Sequence, residues 1–133
     1  MDIDRFRDNT IILLDTNSLF FPFLLDMDVE EKLKDLVGKN FKILLPSTVV
    51  SELNNLVCNR EKFSAAALEY SGRFEVIESP GKGDDSILAL AGKLNAIVVT
   101  GDRKLRRRLN EAGLCVICPR GKNRLMFYGC SDV

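Results

Sequence analysis

The chain has 133 residues, of which 46% are hydrophobic and 29% charged, and its formal net charge at pH 7 is zero. These values are typical of one globular domain, here residues 1–133, and they exclude a disordered or collagen-like chain. The longest apolar run, residues 19–25, is too short to span a bilayer, and the polar first ten residues are unlike a signal peptide. We therefore expect a cytoplasmic protein with no membrane segment.

Charge is unevenly distributed along this neutral chain. From Thr100 onward eight Lys and Arg residues stand against three acids, which leaves a charge of +5 there and −5 in the rest. Acidic residues beside a basic flank are typical of a metal site next to a polyanion-binding surface. Overall neutrality, in contrast, argues against strong nonspecific binding to nucleic acids.

Strand-like apolar runs and segments with helical spacing alternate along the chain. The runs occupy residues 11–14, 42–45, 74–78, 96–99 and 114–118, and the helical segments occupy residues 29–37, 48–57, 61–70, 85–94 and 103–112. The runs are continuous rather than alternating, as in strands covered on both faces. Ser47 is placed to cap the helix that follows it. This order predicts a three-layer α/β/α sandwich with a parallel sheet of about five strands, to which RLMFYG could add a C-terminal edge strand.

Four cysteines raise the question of a zinc or redox site: Cys58, Cys115, Cys118 and Cys130. The sequence contains no His, and the CxxC pair lies inside LCVIC, which has the pattern of a buried strand. We interpret the four cysteines as small apolar residues in or near the core.

Acidic residues stand where an α/β sheet would bring them to one edge. Asp15 directly follows the first strand, Asp102 follows the fourth, Glu52 lies one turn into the helix after the second, and Asp84 and Asp85 open the helix before the fourth. Ligands of open α/β sheets bind at the carboxyl ends of the strands. Singly, each acid could be a turn, cap or solvated residue. Together they indicate a shared site.

Carboxylates crowded together raise one another's pKa, and a divalent cation removes that repulsion. Oxygen ligands without His or thiolate select Mg²⁺ or Mn²⁺ rather than zinc. Such ions support phosphodiester hydrolysis by activating water, orienting the phosphate and neutralising the leaving oxygen. The number of ions, one or two, is left open by the sequence.

Four segments together resemble the PIN-domain family: LLDTN at Asp15, PSTVVSEL around Glu52, GDDSILALA at Asp84 and Asp85, and VVTGDRKLRRRL at Asp102. The likeness extends to the terminal PRGKNRLMFYG and looks closest to the archaeal VapC-like branch and the related eukaryotic ribosomal-RNA-processing endonucleases. It implies a 3-2-1-4-5 strand order, a Mg²⁺ or Mn²⁺ site, and endonucleolytic cleavage of single-stranded RNA.

The resemblance also implies roles for individual residues. Asp15 would be the central metal ligand, Glu52 the second acid and Asp102 the fourth. Thr100 would help orient the site, and Asn17 would hold the loop after Asp15 or hydrogen-bond a ligand water.

The third acid is an open choice between two neighbours. The family pattern, an Asp followed two residues later by an aliphatic residue, aligns Asp85 with Ile87. We therefore expect Asp85 to be the inner ligand and Asp84 to be a helix cap or an outer carboxylate, although the order could be reversed.

Basic and aromatic residues near the acids bear on RNA binding. The basic residues expected to contact the RNA backbone are Arg103, Lys104, Arg107, Arg120, Lys122 and Arg124. Phe20, Phe21 and Phe23 follow Asp15 and could stack on bases, but core packing or a self-association surface is the better interpretation.

Three functions are compatible with these features. The first is a metal-dependent endoribonuclease that leaves a 5′-phosphate and a 3′-hydroxyl, either a VapC-like toxin held by an antitoxin or an RNA-processing enzyme. A homodimer is compatible with both. The second is a non-catalytic RNA-binding or scaffold module in ribosome assembly. The third, a receiver-like phosphoacceptor, is disfavoured because Thr16 and Asn17 follow Asp15 where a second acid is needed and because Glu52 has no counterpart in it.

Overall fold

The computed structural model describes residues 10–129, in which parallel strands are separated by one or more helices. Residues 1–9 and 130–133, including Cys130, lie outside the described part. The elements are β1 (Thr10–Leu14), a 3₁₀ helix (Asn17–Phe20), α1 (Phe21–Leu24), α2 (Val29–Val37), β2 (Phe41–Pro46), α3 (Ser47–Cys58), α4 (Ser64–Ser71), β3 (Glu75–Ile77), α5 (Gly83–Leu94), β4 (Ile97–Val99), α6 (Arg103–Glu111), β5 (Val116–Pro119) and β6 (Leu125–Tyr128).

The central sheet has the strand order β3-β2-β1-β4-β5-β6, with β1 to β5 parallel and β6 antiparallel to β5. The predicted strand order and the added edge strand are both confirmed. Leu13 of β1 pairs with Leu44 on one side and Val98 on the other, so β1 is central, and its last three residues are buried. The strand β3 forms one edge of the sheet, and its Val76 is half exposed.

The helices bury one apolar face each against the sheet. Leu33 of α2, Leu53 of α3, Leu90 of α5 and Leu109 of α6 all lie in the same hydrophobic core as the central strands. The spacing of apolar residues along each helix is about one turn, which is why one face is buried and the opposite face stays polar. The α/β sandwich predicted from the alternating pattern is therefore confirmed.

Two local predictions about helix starts are wrong. Ser47 does not cap α3: its Oγ accepts a hydrogen bond from Ser79 N at 3.0 Å, while Ser79 Oγ accepts one from Thr48 N at 3.1 Å and so caps the helix from another segment. The helix expected from residue 61 begins at Ser64, because Phe63 has φ +67° and cannot continue a right-handed helix.

The segment after Asp15 folds into two short helices that the sequence pattern did not reveal. Phe21 is buried in the core, and Phe20 and Phe23 pack against it. The ring of Phe23 stacks on Phe63, with centroids 6.2 Å apart. The phenylalanines therefore serve core packing. Pro22, which occupies the first turn of α1, explains why an apolar run of this length is neither a strand nor a long helix.

The cysteines are only partly where we expected them. Cys118 is buried in β5, and Cys115 is half-buried against the core. Cys58 is exposed at the last residue of α3, so the prediction of a core position is wrong for it. Within residues 10–129, no helix has the length and apolar character needed to cross a membrane.

Candidate functional site at the carboxyl edge of the sheet

Asp15 lies directly beyond the carboxyl end of the central strand. Its N–H donates to the carbonyl of Val99 at 3.3 Å, which prolongs the pairing of β1 with β4 by one residue. Ser18 N donates to Asp15 Oδ1 at 2.8 Å, and Ser18 Oγ donates to the main-chain oxygen of Asp15 at 2.9 Å. The residue is only 5% exposed. The 3₁₀ turn thus holds a buried carboxylate in one orientation.

Thr100 connects Asp15 with Asp102. Its hydroxyl donates to the Asp15 carboxylate, and its Oγ1 accepts a hydrogen bond from Asp102 N at 3.0 Å. Asp102 is the N-cap of α6, since its Oδ1 accepts from Lys104 N at 2.8 Å and from Leu105 N at 3.3 Å. One fully buried hydroxyl therefore joins the loops that carry two of the acids.

A hydrogen bond between Asn17 and Gly101 also joins the loop after β1 to the loop after β4. Asn17 Oδ1 accepts a hydrogen bond from Gly101 N at 3.0 Å. A Cβ atom on Gly101 would lie 2.6 Å from that oxygen, closer than real contacts allow. Glycine is therefore required at position 101 for the Asn17 side chain to hold its place.

Glu52 reaches the site from α3. Its Oε1 accepts a hydrogen bond from Thr16 Oγ1 at 2.7 Å. Thr16 is buried directly after Asp15, whereas Glu52 is exposed. The bond joins α3 to the loop after β1 and leaves the second carboxylate oxygen of Glu52 accessible to a ligand.

The two neighbouring acids at the start of α5 face different groups. Asp84 is half-buried, and burial together with the charges of Asp102 and Glu52 raises its pKa. The Asp85 side chain is 81% exposed, and its Oδ1 accepts a hydrogen bond from Arg108 Nη2 at 2.6 Å. Asp84, rather than the expected Asp85, is therefore the neighbour of the other acids, because successive helix residues point about 100° apart.

The charges of Glu52 and Asp102 affect the pKa values of the other two acids, Asp15 and Asp84. Burial raises the pKa of Asp15 to about 7; hydrogen bonds from Thr100 and Ser18 oppose the increase, and the charge of Asp102 adds to it. Asp102 in turn acts on Asp84, which also senses Glu52. At Asp15 and at Asp84, burial and a neighbouring acid therefore both disfavour the charged carboxylate, which is the situation that a cation relieves.

A hard cation fits the chemistry of this donor set, because it consists of carboxylates with no His or thiolate. Within the part of the chain that the structure describes, no three of these side chains are close enough together to hold an ion as they stand. Asp84, Asp102 and Glu52 lie at exposed or half-exposed positions with rotatable side chains. Their carboxylates can therefore turn toward an ion beside the fixed Asp15.

The predicted basic residues fall into two exposed groups. Arg103, Lys104 and Arg107 lie on α6, and Arg120, Lys122 and Arg124 lie around the turn between β5 and β6. Of these, Lys104 is close enough to Asp84 for its charge to lower the pKa of that carboxyl. Lys104 is therefore the predicted contact whose charge acts on the acidic site.

Several residues that build the site were not singled out from the sequence: Thr16, Ser18, Gly101 and Arg108. The first two belong to a run of small polar residues directly after a buried strand, DTNS, and such a run indicates a loop that is hydrogen-bonded to its own acid. Arg108 carried no usable signal, since its partner Asp85 is 23 residues away.

The raised pKa of Asp15 predicts how stability depends on pH in the metal-free protein. The folded state keeps a proton up to about pH 7 that the unfolded state releases near 3.8. The free energy of unfolding should therefore fall as pH rises between these values and stay low above them. With a chelator present, the melting temperature of the wild type should fall, relative to that of Asp15→Asn, by roughly 5–10 °C between pH 5 and pH 8. Parallel curves for the two proteins would contradict the raised pKa.

The protein belongs to the class of α/β proteins that have an acidic site at the carboxyl edge of a mainly parallel sheet. Within that class the chain belongs to the PIN-like domain family, whose sequence model, described as "PIN like domain", matches residues 12–122. The resemblance to the PIN-domain family is thus confirmed, and the matched range contains all four of the segments that carried it.

Two curated proteins are similar to this chain over most of their length. Ribonuclease VapC9 of Archaeoglobus fulgidus is 33% identical over 122 residues, which cover 87% of this chain and 89% of that protein. Ribonuclease VapC4 of Methanocaldococcus jannaschii is 26% identical over 126 residues, which cover 89% of this chain and 96% of that protein.

Two solved structures share the fold. One is described as the PIN domain endonuclease Utp24 and has a TM-score of 0.78 at 22% identity, covering 92% of this chain and 94% of that one. The other is a domain of a functionally unknown protein from Methanocaldococcus jannaschii, with a TM-score of 0.65 at 16% identity, covering 84% of this chain and 92% of that one.

Proposed function

We propose that the protein is a metal-dependent endoribonuclease that hydrolyses phosphodiester bonds of single-stranded RNA. Its site would consist of Asp15, Glu52, Asp84 and Asp102. The observation that carries the proposal is the buried Asp15 carboxylate, whose pKa is raised to about 7 and whose charged neighbour is another acid, Asp102, rather than a basic residue. A carboxylate is costly to bury in this way. A functional site in which a cation balances its charge accounts for that cost.

These four residues would hold Mg²⁺ or Mn²⁺, and the bound ion would activate water and neutralise charge on the phosphate. The chain's own contribution is to fix the acids. Hydrogen bonds from Ser18 and Thr100 keep the Asp15 carboxylate in one orientation. Asn17 and Gly101 hold the two loops together, so that Asp15 and Asp102 keep a constant separation. The Asp15 carboxylate is thus preorganised, whereas the carboxylates of Glu52, Asp84 and Asp102 would turn toward the ion as it binds.

The family comparisons support RNA as the substrate. Two relatives that match nearly the whole chain are named ribonucleases, and the solved structure with the same fold is described as an endonuclease. The higher identity to the VapC proteins favours a VapC-like toxin over a ribosomal-RNA-processing enzyme. An antitoxin or ribosome-assembly partner, a homodimer and a cytoplasmic location stay predictions.

The alternative is a non-catalytic RNA-binding or scaffold module, which would have the same fold but would not cleave RNA. A scaffold has no need of a buried carboxylate beside three other acids, because these reduce stability and repel RNA. The acidic site therefore favours the nuclease.

A cleavage assay tests the proposal. The purified protein is mixed with a labelled single-stranded RNA, the DNA of the same sequence and an RNA hairpin, each with Mn²⁺, with Mg²⁺ or with a chelator. We expect cleavage of the single-stranded RNA with either ion, products with a 5′-phosphate and a 3′-hydroxyl, and no cleavage with the chelator. Cleavage that persists in the chelator, or no cleavage of any RNA, would contradict the proposal.

A further inference from the structure

A polar cleft adjoins the acidic site and extends beyond it. Its volume is about 500 Å³, and it is lined by one face of α3 and by the loop Gly81–Gly83, with Glu52 and Asp84 among its lining residues. Clefts of roughly 300–1,000 Å³ are typical of small-molecule sites. A nucleotide is of that size. The cleft can therefore hold one nucleotide of an RNA strand whose next phosphate lies beside the carboxylates of the acidic site.

The face of α3 that lines the cleft is set by helical periodicity. Ser51 and Glu52 each lie three or four residues from Thr48 and from Asn55, so all four residues line the same side of the helix. An RNA strand that crosses Glu52 must therefore pass Ser51 and Asn55. The second acid and the cleft belong to one continuous surface.

The hydrogen bonds already present divide the polar groups of the cleft into two kinds. Ser47 and Thr48 are engaged in its wall, where Ser47 bonds to Ser79 and Thr48 Oγ1 accepts from Gly83 N at 3.3 Å. Within residues 10–129, in contrast, no hydrogen bond engages the side chains of Ser51 and Asn55. Both side chains can donate and accept. They are available to a ligand.

Lys82 supplies the cation that a phosphate needs. It is exposed, in extended conformation, between Gly81 at φ +73° and Gly83 at φ +62°, values that favour glycine on both sides. None of the ion pairs found within residues 10–129 includes Lys82. Its ammonium group can therefore bind a phosphate that enters the cleft.

The lining is better suited to a sugar and a phosphate than to a base. Among the described residues that line the cleft none is aromatic, so it offers no platform for stacking. Hydroxyl and amide groups that both donate and accept match the 2′-hydroxyl of ribose, which has the same two capacities and distinguishes RNA from DNA. A charged ammonium matches the adjoining phosphate.

We propose that this cleft binds the ribose and phosphate of one nucleotide beside the cleaved bond, and that hydrogen bonds from Ser51 and Asn55 to its 2′-hydroxyl select RNA over DNA, with Lys82 on the phosphate. The inference rests on the proposed ribonuclease activity and adds to it the part of the chain that recognises the sugar.

The first test is a scan of single 2′-deoxy substitutions through a cleaved RNA. We expect one position next to the cleaved bond at which the wild type loses about tenfold in kcat/KM, since one or two hydrogen bonds to a hydroxyl are lost. The double variant Ser51→Ala/Asn55→Ala should lose that sensitivity and cut the two substrates equally. Asn54→Ala is the matched control, because the Asn54 amide donates to Val50 O on the same helix and lies outside the cleft.

The second test measures binding without catalysis. Fluorescence anisotropy with a labelled RNA and the matching DNA is recorded for Asp15→Asn in a chelator, with and without the cleft substitutions. Lys82→Ala should weaken both ligands about equally and reduce the slope of log K against log salt by about 0.7, as for one lost phosphate contact. Lys93→Ala, an exposed lysine on α5 outside the cleft, should change neither value. Ser51→Ala/Asn55→Ala should weaken RNA alone.

The outcomes separate the two proposals. If the wild type cuts no RNA, the proposed function fails. If it cuts RNA but the 2′-deoxy scan is flat, or the sensitivity remains in the double variant, the nuclease stands and the cleft proposal is wrong. Sensitivity to the base rather than to the 2′-hydroxyl at that position would also overturn it.

Discussion

Replacing Asp15 with Asn should reduce RNA cleavage by about 10³-fold and leave the fold intact. The expected loss corresponds to about 4 kcal/mol of transition-state stabilisation, because Asn has nearly the same shape but cannot bring the negative charge that holds a divalent ion. The fold should survive because Asn Oδ1 can still accept the hydrogen bond from Ser18 N, now 2.8 Å from the carboxylate. The variant should even be more stable than the wild type above pH 7 in a chelator, since the buried charge is gone.

The measurement is a single-turnover cleavage rate at saturating Mn²⁺, together with circular dichroism as a check of folding. Asp35→Asn, on the exposed face of α2, is a matched control for removing one carboxylate far from the site and should cut at the wild-type rate. A folded Asp15→Asn protein that cuts RNA within a fewfold of the wild type would show that the acid after β1 has no part in the reaction.

The neighbouring pair at the start of α5 provides the second large expected effect. Asp84→Asn should lower the rate by about 10²-fold, whereas Asp85→Asn should stay within about threefold of the wild type. The reason is the difference in their environments. The charges of Asp102 and Glu52 raise the pKa of Asp84, whereas the Asp85 side chain is 81% exposed and pairs with Arg108. Exposed ion pairs of that kind contribute little to stability, so the Asp85 variant should also remain folded.

These two variants differ by one position and by nothing in chemistry, so each serves as the control for the other. The rates are compared in the same buffer, with melting temperatures measured in parallel. A large loss in Asp85→Asn with normal activity in Asp84→Asn would restore the assignment made from the sequence pattern and contradict the one made from the geometry.

Most of the fold was predictable because buried parallel strands have a distinctive pattern. Continuous runs such as IILL and AIVV cannot face water on either side, and their alternation with amphipathic helices leaves few architectures. The strand order came from the resemblance rather than from periodicity. The segment Asn17–Leu24 was missed because two very short helices leave no period to detect.

The sequence could predict only those parts of the acidic site whose positions are set by the ends of strands. Asp15 directly follows β1, and Asp102 comes three residues after the end of β4, so the sheet itself brings their loops together. Asp84 and Asp85 both open the same helix, and which of them faces inward depends on the helix's rotation and on Arg108 from α6. Ser79, which caps α3 in place of Ser47, is likewise a partner from elsewhere in the chain. Long-range partners of this kind leave no local signal.

The most direct test of the account is a calorimetric titration of the metal-free protein with Mn²⁺ in the absence of RNA. The account predicts saturable binding to the wild type, a dissociation constant weakened at least about tenfold in both Asp15→Asn and Asp84→Asn, and unchanged binding in Asp35→Asn. Absence of binding to the wild type, or equal binding by all four proteins, would contradict the claim that these carboxylates share a hard cation.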